Sequence, residues 1–288
     1  MYSKILVPLD GSSLSEQALP HAQKLSQCFD APVDIVCAVE IEEVPEAIVA
    51  DAQQDCSKYL QRIADSSALE LKPGCVVKPG IPAEVILDQA EAEEGTLIVM
   101  ATHGYSGLQR WILGSVAHKV VQAATTPVLL IPAGAKSPEG GMVEFERIIV
   151  PLDGSPAAEH ILPYATALCK AFDSEIILLR AYIARFPGST IRMHEVTQIV
   201  RDSAENYLQE KVRQLQSNGV EKVSYEVLHG IPAEQITDFA LRTPNSLTAM
   251  CTHGRHGVGR WLLGSVTDAV IHSSEEPVLV IRTPHEPN

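Results

Sequence analysis

Short apolar runs rich in β-branched residues alternate along this chain with longer stretches of helical periodicity. The run "KILVPL" (4–9) ends at Asp10-Gly11-Ser12, a turn and helix-cap signal. The stretch after it sets Ala18, Ala22, Leu25 and Phe29 on one face of an amphipathic helix that ends near Phe29. "VDIVCAV" reads as the second strand and 45–67 as a long helix. "CVVK", "TLIVMA" and "PVLLI" follow as strands, with helices over 83–93 and 116–124 between them. The second half repeats this order, its long helix falling over 193–217. Five apolar strands joined by helices predict an α/β fold in each half, an open five-stranded parallel sheet with helices on both faces.

The repetition extends to the letters. Fourteen of the twenty-eight residues in 3–30 recur 143 positions later, including "VPLDGS" at 7–12 and 150–155. At an offset of 150, "GIPAE" (80–84 and 230–234) recurs, and "THGYSGLQRWILGSV" (102–116) matches "THGRHGVGRWLLGSV" (252–266). A period this long marks duplicated domains rather than a solenoid. The Gly-, Pro- and charge-rich stretch "AKSPEGGMVE" between the copies reads as a linker. The expected layout is a domain over 1–134, a linker over 135–145 and a second domain over 146–288.

Composition narrows the function. With 45% hydrophobic and 20% charged residues the chain has the balance of a soluble globular protein. No apolar run approaches the roughly 20 residues of a bilayer span. "MYSKILVPLD" enters a strand at once, without a basic leader or cleavage site, so a cytoplasmic location away from membranes is expected. The six cysteines form no C-x-x-C pair, which suits a reducing compartment and argues against zinc. A net charge of -14 repels nucleic acid and anionic lipid, so any phosphate must be held by local geometry.

That geometry is foreshadowed twice. Asp10 and Asp153 end the first strand of each half, and the "THG" segments follow the fourth. Ligands of open α/β sheets bind outside the carboxyl ends of the strands, where strand order reverses. If strands one and four are neighbours, the aspartate and the glycine loop face one crevice. Gly104 and Gly114, like Gly254 and Gly264, either adopt positive φ or admit a ligand to bare backbone. Gly-Ser then opens a helix with Ser115 or Ser265 placed to cap it, and the orphan N–H groups of its first turn form an anion site. The reading is a nucleotide, with phosphates on the helix N-terminus and base or ribose near the first strand. His103 and His253 lack a neighbouring nucleophile and read as loop-structuring donors rather than general bases. Arg110 and Arg260 stand either on a phosphate or in solvent. Trp111 and Trp261 read as core or interface anchors.

These features resemble the universal stress protein family, in a tandem two-domain form covering nearly all 288 residues. The family pattern, Gly-x2-Gly-x9-Gly-Ser/Thr, matches from Gly104 to Gly114-Ser115 and from Gly254 to Gly264-Ser265. Its first glycine is replaced by Ala101 in one half and Cys251 in the other. The resemblance implies a Rossmann-like fold and domains associated through their last strands, as a homodimer or an intrachain pseudo-dimer. It also implies an adenine nucleotide, ATP or ADP with or without Mg²⁺, bound without efficient hydrolysis.

Carried onto this chain, the first site comprises Pro8, Leu9, Asp10, Ala38, Val39, Met100, Ala101, His103, Gly104, Gly107, Arg110, Gly114, Ser115 and Val116. The second comprises Pro151, Leu152, Asp153, Ala181, Met250, Cys251, His253, Gly254, Gly257, Arg260, Gly264, Ser265, Val266 and Thr267. No residue is assigned a catalytic or metal-binding role. The expected function is a nucleotide-binding regulatory protein of the stress response, with a protein partner the residues do not identify. Two alternatives stand beside it. A slow ATP-hydrolysing enzyme lacks a G-x-x-x-x-G-K-[ST] loop and a Mg²⁺-ligand cluster beyond the two aspartates. A scaffold with degenerate sites is suggested by Ala101 and Cys251. Arg255, His256 and a Thr267 hydroxyl favour the second site for phosphates, while the bulk of Cys251 opposes it.

Limited proteolysis of the full chain is expected to cut first within 135–145. First cuts inside either "VPLDGS" would contradict the domain layout.

Overall fold

The computed structural model describes residues 1–40, 46–66, 72–103, 113–133, 143–183, 190–252 and 263–283. The chain divides into two compact units, Met1–Glu144 with Leu279–Arg282 and Phe145–Val278 with Thr283–Asn288. The first contains β1 (Lys4–Pro8), α1 (Ala18–Phe29), β2 (Val33–Val39), α2 (Glu46–Ala64), β3 (Gly74–Pro79), α3 (Pro82–Glu91), β4 (Thr96–Ala101), α4 (Ser115–Ala123) and β5 (Val128–Ile131). Its strands lie in the order β3-β2-β1-β4-β5, every neighbouring pair parallel.

All six residues of β4 are buried, as are the three central residues of β1 and all four of β5. Strands covered by helices on both faces need no polar alternation, so they appear in sequence as continuous apolar runs. β3, at the margin of its half, leaves Gly74, Cys75, Lys78 and Pro79 exposed. A charged and proline-bearing margin discourages further strand pairing. The chain travels outward from β1 through β2 to β3, then returns to the other side of β1 for β4 and β5. β1 and β4 are therefore neighbours, and strand order reverses between them.

The second half repeats this frame with β6 (Arg147–Pro151), α5 (Pro156–Glu159), α6 (Leu162–Phe172), β7 (Glu175–Tyr182), α7 (Thr190–Ser217), β8 (Val223–His229), α8 (Pro232–Leu241), β9 (Ser246–Cys251), α9 (Ser265–Ser273) and β10 (Val278–Ile281). The order is β10-β9-β6-β7-β8, with β6 parallel to both β9 and β7. The predicted helix after the first strand is interrupted in both copies. A 3-10 turn over Ser15–Gln17 precedes α1, and α5 stops before α6 begins. Pro20 and Pro163 occupy equivalent positions and lack the N–H that would carry an α-helical ladder through. In α5 the Ala158 N–H donates to Ser155 Oγ at 3.1 Å, which caps the short helix. Among the described residues no helix is long and apolar enough to cross a membrane.

One core residue of α1 is titratable. His21 is 6% exposed, and its Nδ1–H donates to the Gln17 carbonyl at 3.2 Å. Burial pushes the imidazole from 6.5 down to about 4, with the Gln17 bond opposing part of that fall. An unfolded chain takes up a proton below pH 6.5 that the folded chain refuses until about pH 4. This contribution to stability is thus complete above pH 6.5 and is lost as pH falls towards 4, by about 3 kcal/mol in all. Urea unfolding of His21→Phe should show a shallower loss of stability than the parent between these pH values. Equal slopes would mean that His21 does not carry the acid sensitivity.

Candidate functional site

At the reversal point, the carboxyl ends of β1 and β4 open onto a cavity of about 290 Å³. Pro8, Leu9 and Asp10 form one wall, and Met100, Ala101, Thr102 and His103 continue from β4. Val36 and Ala38 contribute from β2, Pro82 and Ile86 from α3, and Ser15 from the turn before α1. Gly114, Ser115, Val116 and Ala117 close it at the start of α4. Ten of the predicted residues therefore meet around one space. Gly104, Gly107 and Arg110 lie outside the described residues, as do His253, Gly254, Gly257, Arg260, Arg255 and His256.

Val39 is 7% exposed and its side chain is not part of the cavity lining. Side chains alternate along a strand, so Val36 and Ala38 share the cavity face while Val39 falls on the other. The same rule could have found Val36 in the sequence. Ser15, Pro82, Ile86, Thr102 and Ala117 were also missed. Pro82 and Thr102 had a visible signal, since each belongs to a repeated motif, "GIPAE" and "THG".

Asp10 holds its own turn. Its Oδ1 accepts from the Ser12 N–H at 3.0 Å and the Ser12 hydroxyl at 2.5 Å. Gly11 between them has φ +85°, a conformation that favours glycine. Asp153 repeats the arrangement with Ser155, at 2.9 Å and 2.6 Å. The carboxylate is thereby fixed at the rim of the cavity.

The start of α4 is built differently from the expectation. Ser115 is the first helical residue rather than the cap; Gly114 holds the cap position with φ -58°, and no side chain among the described residues caps the helix. Gly264 and Ser265 repeat this at α9. Positive φ is thus not what Gly114 supplies. Its N–H donates to the Thr102 carbonyl at 2.8 Å, and a Cβ there would stand 3.0 Å from that oxygen. The glycine permits two backbones to touch. The first turn of α4 has no side-chain cap among the described residues, and Ser115, Val116 and Ala117 of that turn line the cavity.

In the second half Pro151 ends β6 and Leu152 and Asp153 follow it, Ala181 lies near the end of β7, and Met250 and Cys251 end β9. Gly264, Ser265, Val266 and Thr267 begin α9. Two side chains of this half have partners within the fold. The Thr267 hydroxyl is buried and donates to the Cys251 carbonyl at 2.8 Å, so its proton is committed to the backbone and not to a phosphate. The Cys251 thiol is 5% exposed and turned towards the Ala158 carbonyl of α5 at 3.5 Å. Burial pushes it up to about 12, keeping it a neutral packed thiol.

Parallel strands with a repeated aspartate turn and a repeated glycine-led helix define each half as an open α/β fold of one class. The sequence profile of the universal stress protein family matches residues 1–132 and again 144–282. The chain belongs to that family, in a tandem form. A universal stress protein of Methanocaldococcus jannaschii is 32% identical over 142 residues, covering 46% of this chain and 82% of its own length. One of Mycolicibacterium smegmatis is 23% identical over 292 residues and 96% of each chain. The crystal structure of a universal stress protein from Archaeoglobus fulgidus superposes with a TM-score of 0.73 at 20% identity, over 99% of this chain and 97% of its own. Its fold is the one described above.

Gly114→Ala tests the close approach. At this negative φ, relief of chain entropy alone would stabilise the protein by roughly 0.4–1 kcal/mol. Contact with the Thr102 carbonyl should instead cost about 1 kcal/mol in urea unfolding. A gain would show that the end of β4 yields freely.

Proposed function

We propose that the cavity of the first half binds an adenine nucleotide, ATP or ADP, and that the protein acts as a nucleotide-binding regulator in the stress response. The observation that carries this reading is the uncapped N-terminus of α4 opening into a mostly apolar cavity beside a fixed carboxylate. Phosphates suit the first-turn N–H groups of Ser115, Val116 and Ala117. A ribose hydroxyl suits Asp10, and an apolar base suits the space between Val36, Ala38, Pro82 and Ile86. The volume lies at the lower end of small-molecule sites, which run from roughly 300 to 1,000 Å³.

Turnover is expected to be slow or absent. Among the described lining residues Asp10 is the one carboxylate, and its Oδ1 already holds the Ser12 amide and hydroxyl. That makes it a poor base for activating water. It is also too few oxygens for a protein-held Mg²⁺, so Mg²⁺ would arrive with the phosphates. In the second half the frame recurs, and the orientation of the Cys251 thiol towards α5 favours a second nucleotide site there.

Calorimetric titration of the full chain with ATP tests the reading. Asp10→Asn keeps an oxygen for the turn while removing the charge, and should weaken binding by the roughly 1.5–3 kcal/mol of a charged hydrogen bond. Unchanged affinity would remove Asp10 from the site, and no binding by the parent chain would remove the nucleotide. Phosphate release near the enzyme median of roughly 10 per second would favour the enzyme reading instead.

A further inference from the structure

The first half contains a feature that the nucleotide site does not use. Cys37 on β2 and Cys56 on α2 bring their Sγ atoms to 2.8 Å from one another across 19 residues of chain. A disulfide requires about 2.05 Å, so the two sulfurs need approach by less than about 1 Å. Cys37 is buried, whereas Cys56 is half-buried and so partly open to solvent. Cys37 faces α2 while its strand neighbours Val36 and Ala38 face the cavity, so the pair stands behind the cavity wall.

The duplication supplies an internal contrast. At the offset of 143, Cys37 corresponds to Arg180, whose guanidinium lies 4.8 Å from the ring centroid of Tyr207 on α7. There the strand and its long helix are joined by a cation and an aromatic ring. In the first half two thiols occupy this layer. The remaining cysteines are dispersed: Cys28 is half-buried, Cys75 exposed, and Cys169 and Cys251 buried.

We propose that Cys37 and Cys56 form a reversible disulfide site, oxidised by peroxide. Cys56 reacts first because solvent reaches it, whereas burial pushes the Cys37 thiol up to about 12 and keeps it protonated. The Cys56 sulfur attacks the peroxide O–O bond, gains one oxygen as a sulfenic acid, and water leaves. Cys37 sulfur then attacks Cys56 sulfur; the S–O bond breaks, and the departing hydroxide takes the Cys37 proton as a second water. Two thiols lose two electrons, and one peroxide is reduced to two waters. The product ties α2 to β2, and a dithiol reductant restores the thiols by exchange.

The test treats the full-length protein with hydrogen peroxide and reads intact mass and cysteine-containing peptides after alkylation. The expected result is a loss of about 2 Da with Cys37 and Cys56 protected from alkylation, reversed by dithiothreitol. Cys56→Ser and, separately, Cys37→Ala should abolish this protection, while Cys75→Ser should leave it intact. The proposal is overturned if peroxide adds about 16 or 32 Da without a disulfide. It is equally overturned if the protected residues are other cysteines, if chains become cross-linked through Cys75, or if protection survives in Cys56→Ser. None of these readouts depends on nucleotide binding.

Discussion

The Gly114 N–H donates to the Thr102 carbonyl, and the Gly264 N–H does the same to Thr252, at 2.8 and 2.7 Å. Each bond ties the end of one strand to the start of the helix that follows it in the fold. The first turn of α4 is thereby held over the point where strand order reverses. Asp10 arrives at the same point from β1, because β1 pairs with β2 on one side and β4 on the other. A side chain at 114 would press on the very carbonyl that makes the bond. The site thus depends on backbone touching backbone, and the glycine is what lets it do so.

A frame made from main-chain bonds tolerates changes in side chain, and the two halves show how far. Ala101 becomes Cys251, Ala117 becomes Thr267, Ser15 becomes Ala158 and Cys37 becomes Arg180. Each replacement finds its own local solution. The Thr267 hydroxyl reaches the Cys251 carbonyl, and the Cys251 thiol reaches the Ala158 carbonyl. Buried polar groups that find partners cost little, so these exchanges leave the strand order unchanged.

The proposed phosphate site belongs to a chain of net charge -14, which raises a question of scale. Distant exposed carboxylates act through water and salt, and their influence fades over about 8–10 Å. First-turn N–H groups act at hydrogen-bond distance inside a mostly apolar cavity, where electrostatic interactions are stronger. On the proposed reading the short-range donors outweigh the global charge for a small phosphate.

The sequence by itself determined the strands and the duplication, and it pointed to the strand ends where the candidate cavity lies. Strands covered on both faces are predominantly apolar, so "TLIVMA" and "VDIVCAV" are legible without structure, and a repeated Asp-Gly-Ser turn marks the end of each first strand. Only the tertiary structure decided which face of β2 meets the cavity, that Ser115 begins a helix without capping it, and that the Thr267 proton is taken by a carbonyl. It also decided that His21 is buried, and that Cys37 and Cys56 meet. The physical reason is common to all of these. Periodicity and turn chemistry are local properties, readable from neighbours in the chain. Whether a side chain meets solvent, a carbonyl or another thiol depends on what packs against it from elsewhere, and 19 residues of separation between two cysteines carry no trace of the 2.8 Å at which the fold sets them.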